Sequence, residues 1–565
     1  MKKPIRITLI VVLIVFGLVK LIEWAVESKF DKLINNNPNR AYDITYQDFD
    51  LHTFFKGITL SEVTIAPLNN PKGTIVRGSV KYAELSDFVW RKFIFSKSVT
   101  ANELQFVAPV FELTVLPDST KNVKLRERKK DGNSLQALFS DILTRADLNQ
   151  FQIKNGSVVI RETDSTLKGK FHNINILASD IETDSIQLKH IVPFKLGNLE
   201  IAVDSMFYQI NSFTKARMGS INYSIANESV RLKNAALEYD KDWVAISQER
   251  GLQDDVIGFQ LSNLNISGLK LSSSFWTQLD IEADNLAIDG LSLSLKRNKN
   301  LQRPPDVQKP LFKGMVDKIP YNVDFDSITI SNTTILYGEL SPNKKNTGVI
   351  EINAINGSIS KFSTFPERKK EFGAFEAHLT ARLNDAAAMN IDLKVPYTKD
   401  TFIIHTRLKH LDLKALSPSL VPLLGIEIKE GQLHHLDYQM NASFYQSHNS
   451  LIMDYENLYL TVYKEEADGS QHKKAFLSSI ANAAVRHDNL PKDKGYLKAS
   501  YTTQRNIYRS PFQHIVAGVL DGAKRIVPGK GIQSIIAKET PEEKAEQKAE
   551  KQEKKKTKKL KKGRD

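Results

Sequence analysis

From Ala41 onward, apolar and polar residues alternate with a period of two through most of the chain. Gly57-Ile58-Thr59-Leu60-Ser61-Glu62-Val63-Thr64-Ile65 is representative, and such alternation predicts strands with one apolar face. Strands are also predicted at Gly78–Leu85, Phe93–Val99 and Leu104–Leu116. They then run almost without interruption from Phe151 to Leu295, broken by Asn, Asp, Gly and Ser. Within that run Leu286 and Ile288 give way to Leu291, Leu293 and Leu295, so the phase shifts at Gly290 and a bulge is expected there. Asn298–Pro310 reads as a linker or exposed crossing. Strands resume at Val323–Tyr337. They continue through Phe375, Ala377, Leu379, Ala381 and Leu383, and through Met389, Ile391, Leu393 and Val395. Phe402–Leu413 and Ile426–Tyr463 follow, with shorter strands at Lys474–Val485 and Tyr496–Tyr501.

A few stretches depart from this period. Ile5–Val26 is nearly all apolar, and as a helix rising about 1.5 Å per residue it covers a hydrocarbon core of roughly 30 Å. Ile7, Leu9, Ile10, Val11, Val12, Leu13, Ile14, Val15, Phe16, Leu18 and Val19 form its uncharged centre. Lys2, Lys3 and Arg6 precede it, which places residues 1–4 in the cytoplasm and the bulk of the chain across the membrane. No small-residue cleavage pattern follows the span, though Arg6-Ile7 onward also fits a cleaved signal peptide, which is the alternative; no cysteine follows it to take a lipid. Ser134–Leu143 has helical spacing, with Leu135, Leu138, Phe139, Ile142 and Leu143 on one face and Ser134 as a cap. Ala415–Leu424 reads as a short helix. A last helix starts at Pro511, with Phe512, Ile515, Val516, Val519, Leu520 and Ile526 on one face. It reads either as a cap on the sheet or as an interfacial helix on a lipid surface.

Composition narrows the setting. The 565 residues exceed one ordinary core, so several units or a repetitive body are expected. The segments read as a span over 5–26, β regions over 27–133, 134–300 and 301–505, C-terminal helices over 506–538 and a Lys-rich tail over 539–565. The formal charge of +13 owes much to Lys554, Lys555, Lys556, Lys558, Lys559, Lys561, Lys562 and Arg564. For a chain held outside the cytoplasm, such charge favours anionic membrane over nucleic acid. Cysteine is absent, which removes disulfides and thiolate chemistry and inclines the reading towards a bacterial envelope.

The alternation also repeats. Ile153-Lys154-Asn155-Gly156-Ser157-Val158-Val159-Ile160 lines up with Ile330-Ser331-Asn332-Thr333-Thr334-Ile335-Leu336-Tyr337, and more weakly with Ile428-Lys429-Glu430-Gly431-Gln432-Leu433. Repeated strand units bury their apolar faces by stacking on one another. If such a sheet curls, its apolar face becomes a groove; if two sheets pack, it becomes a sandwich core.

Several segments carry a family resemblance. They are the span with ITYQDFDLHTFFKGITLSEVTIAP, then GTIVRGSVKYAELSDFVWRKFIFSKSVTANELQFVAPVFEL with Trp90, Phe93, Leu104 and Pro109. Near the other end are HLDLKALSPSLVPLLGIEIKEGQLHHLDYQMNAS and the surroundings of Arg505, Tyr508, Arg509, Ser510 and Phe512. In these the chain resembles the AsmA-like superfamily of bacterial envelope proteins, related to bridge-like proteins of the TamB and YhdP type, in a Bacteroidetes-type form. The resemblance implies a mainly β fold, with an elongated, curled β-groove behind an N-terminal transmembrane helix. It also implies a part in outer-membrane biogenesis and phospholipid transport.

No catalytic constellation stands out. The adjacent His434 and His435 point to opposite faces of a strand. Asp254 with Asp255, and Asp280, Glu282 and Asp284, read as the wet side of a sheet. Pro528-Gly529-Lys530-Gly531 lacks the spacing of a phosphate loop. The expectation is therefore a non-enzymatic protein of the inner membrane, with its bulk in the periplasm and neither cofactor nor metal. Its partners are phospholipid or another envelope lipid, the inner membrane, the outer membrane as a second surface, and envelope proteins, with no nucleic acid. Leu286, Ile288, Leu291, Leu293, Leu295, Phe375, Leu379, Leu383, Ile391 and Leu393 are the expected lining. The alternative is a non-catalytic scaffold for outer-membrane protein assembly.

Overall fold

Pairing follows chain order almost everywhere, because consecutive long strands joined by short turns fold back on one another. The computed structural model describes residues 20–21, 23–32, 42–52, 56–68, 75–89, 99–115, 146–182, 195–270, 280–342, 344, 346–465, 471–473, 482 and 485–528. Strands β1 (Tyr42–Thr45) and β2 (Asp48–Leu51) lie end to end on β3 (Gly57–Pro67), which pairs with β4 (Ile75–Ser86). Strand β4 carries β5 (Val99–Val107) and β6 (Val110–Val115), both parallel to β7 (Ala146–Glu162). An antiparallel run follows: β8 (Leu167–Glu182), β9 (Lys195–Asn211), the collinear β10 (Thr214–Met218) and β11 (Ser220–Ser224), then β12 (Ser229–Tyr239), β13 (Val256–Lys270) and β14 (Ile281–Asn298). Strand β15 (Val323–Leu340) joins β14 in parallel. The rest is antiparallel: β16 (Gly348–Ser363), β17 (Ala374–Leu383), β18 (Ala387–Pro396), β19 (Phe402–Asp412), β20 (Ile426–Ala442) and β21 (Gln446–Glu465). Strand β21 then takes the short β22 (Gln471–Lys473) and, at its other end, β23 (Ala499–Gln504). The protein is mainly β, one large mixed sheet with few helices.

Helices occupy crossings and ends. Residues 23–32 are helical (α1), followed by α2 (Trp243–Arg250), α3 (Phe312–Val316), α4 (Pro366–Phe372), α5 (Ser417–Leu424) and α6 (Pro511–Ile526). The expected helix at Ala415–Leu424 is a 3-10 turn over Leu413–Leu416 running into α5. The expected strand at Tyr496–Tyr501 begins later, at Ala499. The expected helix at Ser134–Leu143 lies outside the described residues, as do the first part of the Phe93–Val99 strand and most of Lys474–Val485. The expected span lies there for the most part too. Among the described residues no helix is long and apolar enough to cross a membrane.

Two lines of backbone kinks cross the sheet from strand to strand. The first passes through Glu62, Ala108, Asn155, Asn173, Asn234, Gly290, Asn332 and Ala354, all at positive φ between 48° and 68°. Other strands on this line either break there or run through it unbroken, as β9 and β13 do. Gly219 separates β10 from β11 and donates its N–H to Lys233 O and Asn234 O, and Ser262 faces Gly290. The second line lies six to seven residues further along the strands, about 20 Å. It passes through Asp87, Asp180, Glu228, Gly268 and Lys361. Asn, Asp and Gly adopt the left-handed region with least strain, which is why they recur there.

Each kink flips the phase of its strand. In β14 the apolar residues are Leu286 and Ile288 before Gly290, and Leu291, Leu293 and Leu295 after it. In β15 they are Ile328 and Ile330 before Asn332, and Ile335 after it. Residues from both sides nevertheless pack together: Ile330 and Ile335 share one cluster with Ile352 and Ile355. The flip therefore keeps apolar side chains on one face while the strand bends. The bulge expected at Gly290 is a kink matched on the neighbouring strands: pairing resumes without slippage, Asp289 with Ser331 and Ser292 with Thr334. Between β15 and β16, and between β7 and β8, the register slips at the paired kinks and is restored just beyond them.

Candidate functional site: one apolar face of the sheet

Among the described residues the apolar face is closed over at its two ends and, apart from one short helix, open between them. At the first end α1 lays Val26 and Phe30 over a core containing Ile58, Leu60, Ile65, Val76 and Phe111. The Phe30 and Phe49 rings are 5.9 Å apart. At the far end α6 closes a second core around Phe402, Tyr438, Met440, Leu451 and Tyr455. Ser510 caps this helix, accepting from Gln513 N–H, and Pro511 begins it. Gly518 sits so close to the sheet that an added Cβ would lie 2.0 Å from Tyr438 Oη. The Tyr501 hydroxyl donates to Gly518 O at 2.6 Å.

Between these cores the face has a different character. Only Leu269, Ala283, Phe325 and Ile328 are buried in the cluster shared by β13, β14 and β15. Around them Tyr223, Val230, Ile266, Leu286, Ile288 and Ile330 are half-buried. Leu291, Leu293 and Leu295 beyond the kink are half-buried as well. Helix α2 covers a local patch, packing Ile246 on Phe213 and Val256. Burial in these apolar surroundings pushes the Tyr223 hydroxyl up to about 12.

The expected lining residues divide between the two environments. Leu286, Ile288, Leu291, Leu293 and Leu295 lie together on the bare stretch. Leu379, Leu383, Ile391 and Leu393 are half-buried beside the far core. Phe375 does not line an open face: it is buried, with the rings of Phe362 and Tyr397 at 5.6 and 5.7 Å. The six residues assigned to one face of the last helix occupy two. Ile526 is fully buried and Ile515 and Val519 pack inward, whereas Phe512, Val516 and Leu520 are exposed. The anchor residues Ile7 to Val19 lie outside the described residues.

The opposite face is polar and tied together across strands. Asp289 accepts from Asn332 Nδ2 at 2.8 Å, Ser331 Oγ at 2.9 Å and Asn263 Nδ2 at 3.2 Å. These donors, Asn332 foremost, hold its carboxyl below the usual range. Asp392 lies between His378 Nδ1 at 2.8 Å and Arg407 Nη2 at 2.5 Å, and this hydrogen bonding, that of His378 first, lowers its carboxyl too. His434 meets Glu456 at 3.0 Å, while His435 is paired in register with Asp454, and the register of β20 against β21 shifts between Leu433 and His435.

Three of the carboxylates considered for catalysis have partners that tie the sheet together. Asp255 holds Arg297 in a two-pronged pair at 2.8 and 2.7 Å, and Asp284 meets Lys270 at 3.2 Å. Asp280 departs from the expected wet side: it is buried and accepts from Asn322 Nδ2 at 2.8 Å. Among the described residues no group of three or more His, Cys, Asp or Glu could hold a metal. Sequence reasoning missed the kink lines and the polar seat beneath α6, where Arg505 is buried. Arg505 donates to the carbonyls of Phe444, Lys309, Pro310 and Arg509. Comparison with family models, curated proteins and solved structures finds no match.

Proposed function

We propose that this is an inner-membrane-anchored envelope protein whose bent apolar sheet face is a groove for lipid acyl chains, serving phospholipid transport in outer-membrane biogenesis. One observation carries the reading: a continuous apolar face, half-exposed over β9 to β16, with no second sheet packed on it among the described residues and a closed core at each end. Two matched kink lines bend the strands while keeping that face apolar, which suits a trough better than a flat sheet. At roughly 4.8 Å per strand the ladder from β3 to β21 runs on the order of 80 Å, far longer than one lipid. Acyl chains in such a trough leave water at roughly 0.8 kcal/mol per CH₂, and headgroups stay at its open edge. Passage along it needs no covalent step. The N-terminal apolar stretch supplies the anchor at a lipid source, and the resemblance to the AsmA-like superfamily points the same way.

The test is lipid co-purification. The full chain is extracted in a membrane-solubilising copolymer, transferred to detergent, washed, and examined by native mass spectrometry. Bound phospholipid that survives washing, and that labelled phospholipid replaces, supports the reading. A chain that neither retains nor takes up phospholipid overturns it.

A further inference from the structure

The outer side of α6 presents Phe512 (52% exposed), Val516 (49%) and Leu520 (43%). They stand four residues apart, so they form one strip about 12 Å long. The opposite side of the same helix is committed to the sheet through His514, Gly518, Gly522 and Ile526, all buried. The strip is therefore not a core surface turned the wrong way. It also widens beyond the helix: the Phe312 ring of α3 stands edge-on to Phe512 at 5.4 Å, and the exposed Met315 follows on the same short helix. Arg505 ties these distant segments together through Lys309 O and Arg509 O. An apolar strip held in place this firmly marks an interaction surface.

Charge indicates the occupant. Lys524 and Arg525 close the helix just past the strip. Beyond Pro528 the sequence has thirteen Lys and Arg against seven Asp and Glu, and from Lys554 to Arg564 eight cations with no carboxylate. A shallow apolar strip followed in the chain by dense positive charge fits a bilayer interface with anionic headgroups, into which such helices sink about 5–10 Å. We propose that the Phe512–Val516–Leu520 strip docks on an anionic bilayer, making a membrane contact at the end of the sheet opposite α1. This contact is independent of what the apolar sheet face carries.

The full chain, held in phosphatidylcholine nanodiscs, is mixed with fluorescent vesicles of phosphatidylcholine alone or with phosphatidylglycerol, and captured vesicles are counted. The expected result is capture of phosphatidylglycerol vesicles only, falling at least about tenfold in the triple variant Phe512→Glu, Val516→Glu, Leu520→Glu. Replacing the lysines between Lys554 and Lys562 by Gln leaves the described fold untouched and weakens capture, with a shallower salt dependence. Single Val516→Glu, at an exposed site, guards against misfolding and lowers capture without shifting the melting temperature. Equal capture by wild type and triple variant overturns the proposal, as does no capture by wild type. A changed oligomeric state in the triple variant, without loss of vesicles, also overturns it and assigns the strip to a second copy. Lipid-depleted protein captures vesicles as well as loaded protein, so this outcome and that of the co-purification are separable.

Discussion

The backbone N–H of Asn332 donates to the side-chain Oδ1 of Asn356 on the next strand, at 3.0 Å. Asn155 makes the same bond to Asn175, also at 3.0 Å. In both pairs the donor has positive φ, and the accepting side chain follows two residues after another positive-φ residue, Asn173 or Ala354. In both, the donor strand (β7 or β15) pairs in parallel with the strand before it and antiparallel with the strand after. The kink is thus a repeated device: an N–H freed from the ladder by the flip is satisfied by an amide from the neighbour.

Asn356→Ala removes that acceptor and is expected to cost about 1 kcal/mol, as for a typical intramolecular hydrogen bond. Asn332→Val adds the strain of a branched residue at positive φ and is expected to cost about 1–2 kcal/mol more than Asn332→Gly. Urea unfolding of the three variants checks both; equal stability of the valine and glycine variants would count against a kink held by conformation.

Gly290 has φ of +68°, and an added Cβ would lie 2.5 Å from Ser262 Oγ. Gly290→Val is therefore expected to destabilise by roughly 1–3 kcal/mol. The paired variant Gly290→Ala, Ser262→Gly relieves the contact but not the φ, so only part of the stability returns in a thermal melt.

Helix α6 is seated through Gly518. Gly518→Leu pushes a side chain into Tyr438 and is expected to lift the helix, costing about 1–3 kcal/mol. Limited proteolysis reads this as faster cleavage near residue 510, with the N-terminal half of the sheet unaffected.

The same seat predicts an acid sensitivity. Burial, with Arg505 nearby, lowers His514 to about 4 from an ordinary value of 6.5. The unfolded chain takes up this proton below about pH 6.5, while the folded chain resists until about pH 4. His514 therefore takes nothing from stability above pH 6.5, and stability falls as pH drops from 6.5 towards 4, by up to roughly 3 kcal/mol. His514→Phe is expected to flatten that part of the profile; the test is denaturant unfolding at about pH 7.5, above this window, and at about pH 5.5 and 4.5, within it.

Much of this architecture was legible in the residues. Period-two alternation located the strands, and aligning Ile153–Ile160 with Ile330–Tyr337 matched Asn155 to Asn332 without any coordinates. The phase shift at Gly290 was readable too, but its meaning was not. A lone glycine reads as a bulge, and only the neighbouring strands show that the flip is shared. Alternation reports which face is apolar, never whether something covers it. That is why Phe375 read like Leu286 although one is sealed between aromatic rings and the other half-exposed. The two-faced α6 escaped for a related reason: residues at three- and four-residue spacing share a broad arc, and only Tyr438 and Tyr501 show which part of it meets the sheet.

The central claim is that lipid chains lie on the apolar face over the middle strands, and site-specific photo-crosslinking in cells tests it most directly. A benzophenone side chain is placed in turn at Leu264, Ile288, Ile330 and Leu293 on that face, and at Asn263, Asp289 and Ser331 on the polar face. The account predicts phospholipid adducts, seen by mass or radiolabel, at the first four positions and none at the last three. Adducts equal on both faces, or absent from all seven positions, would contradict it.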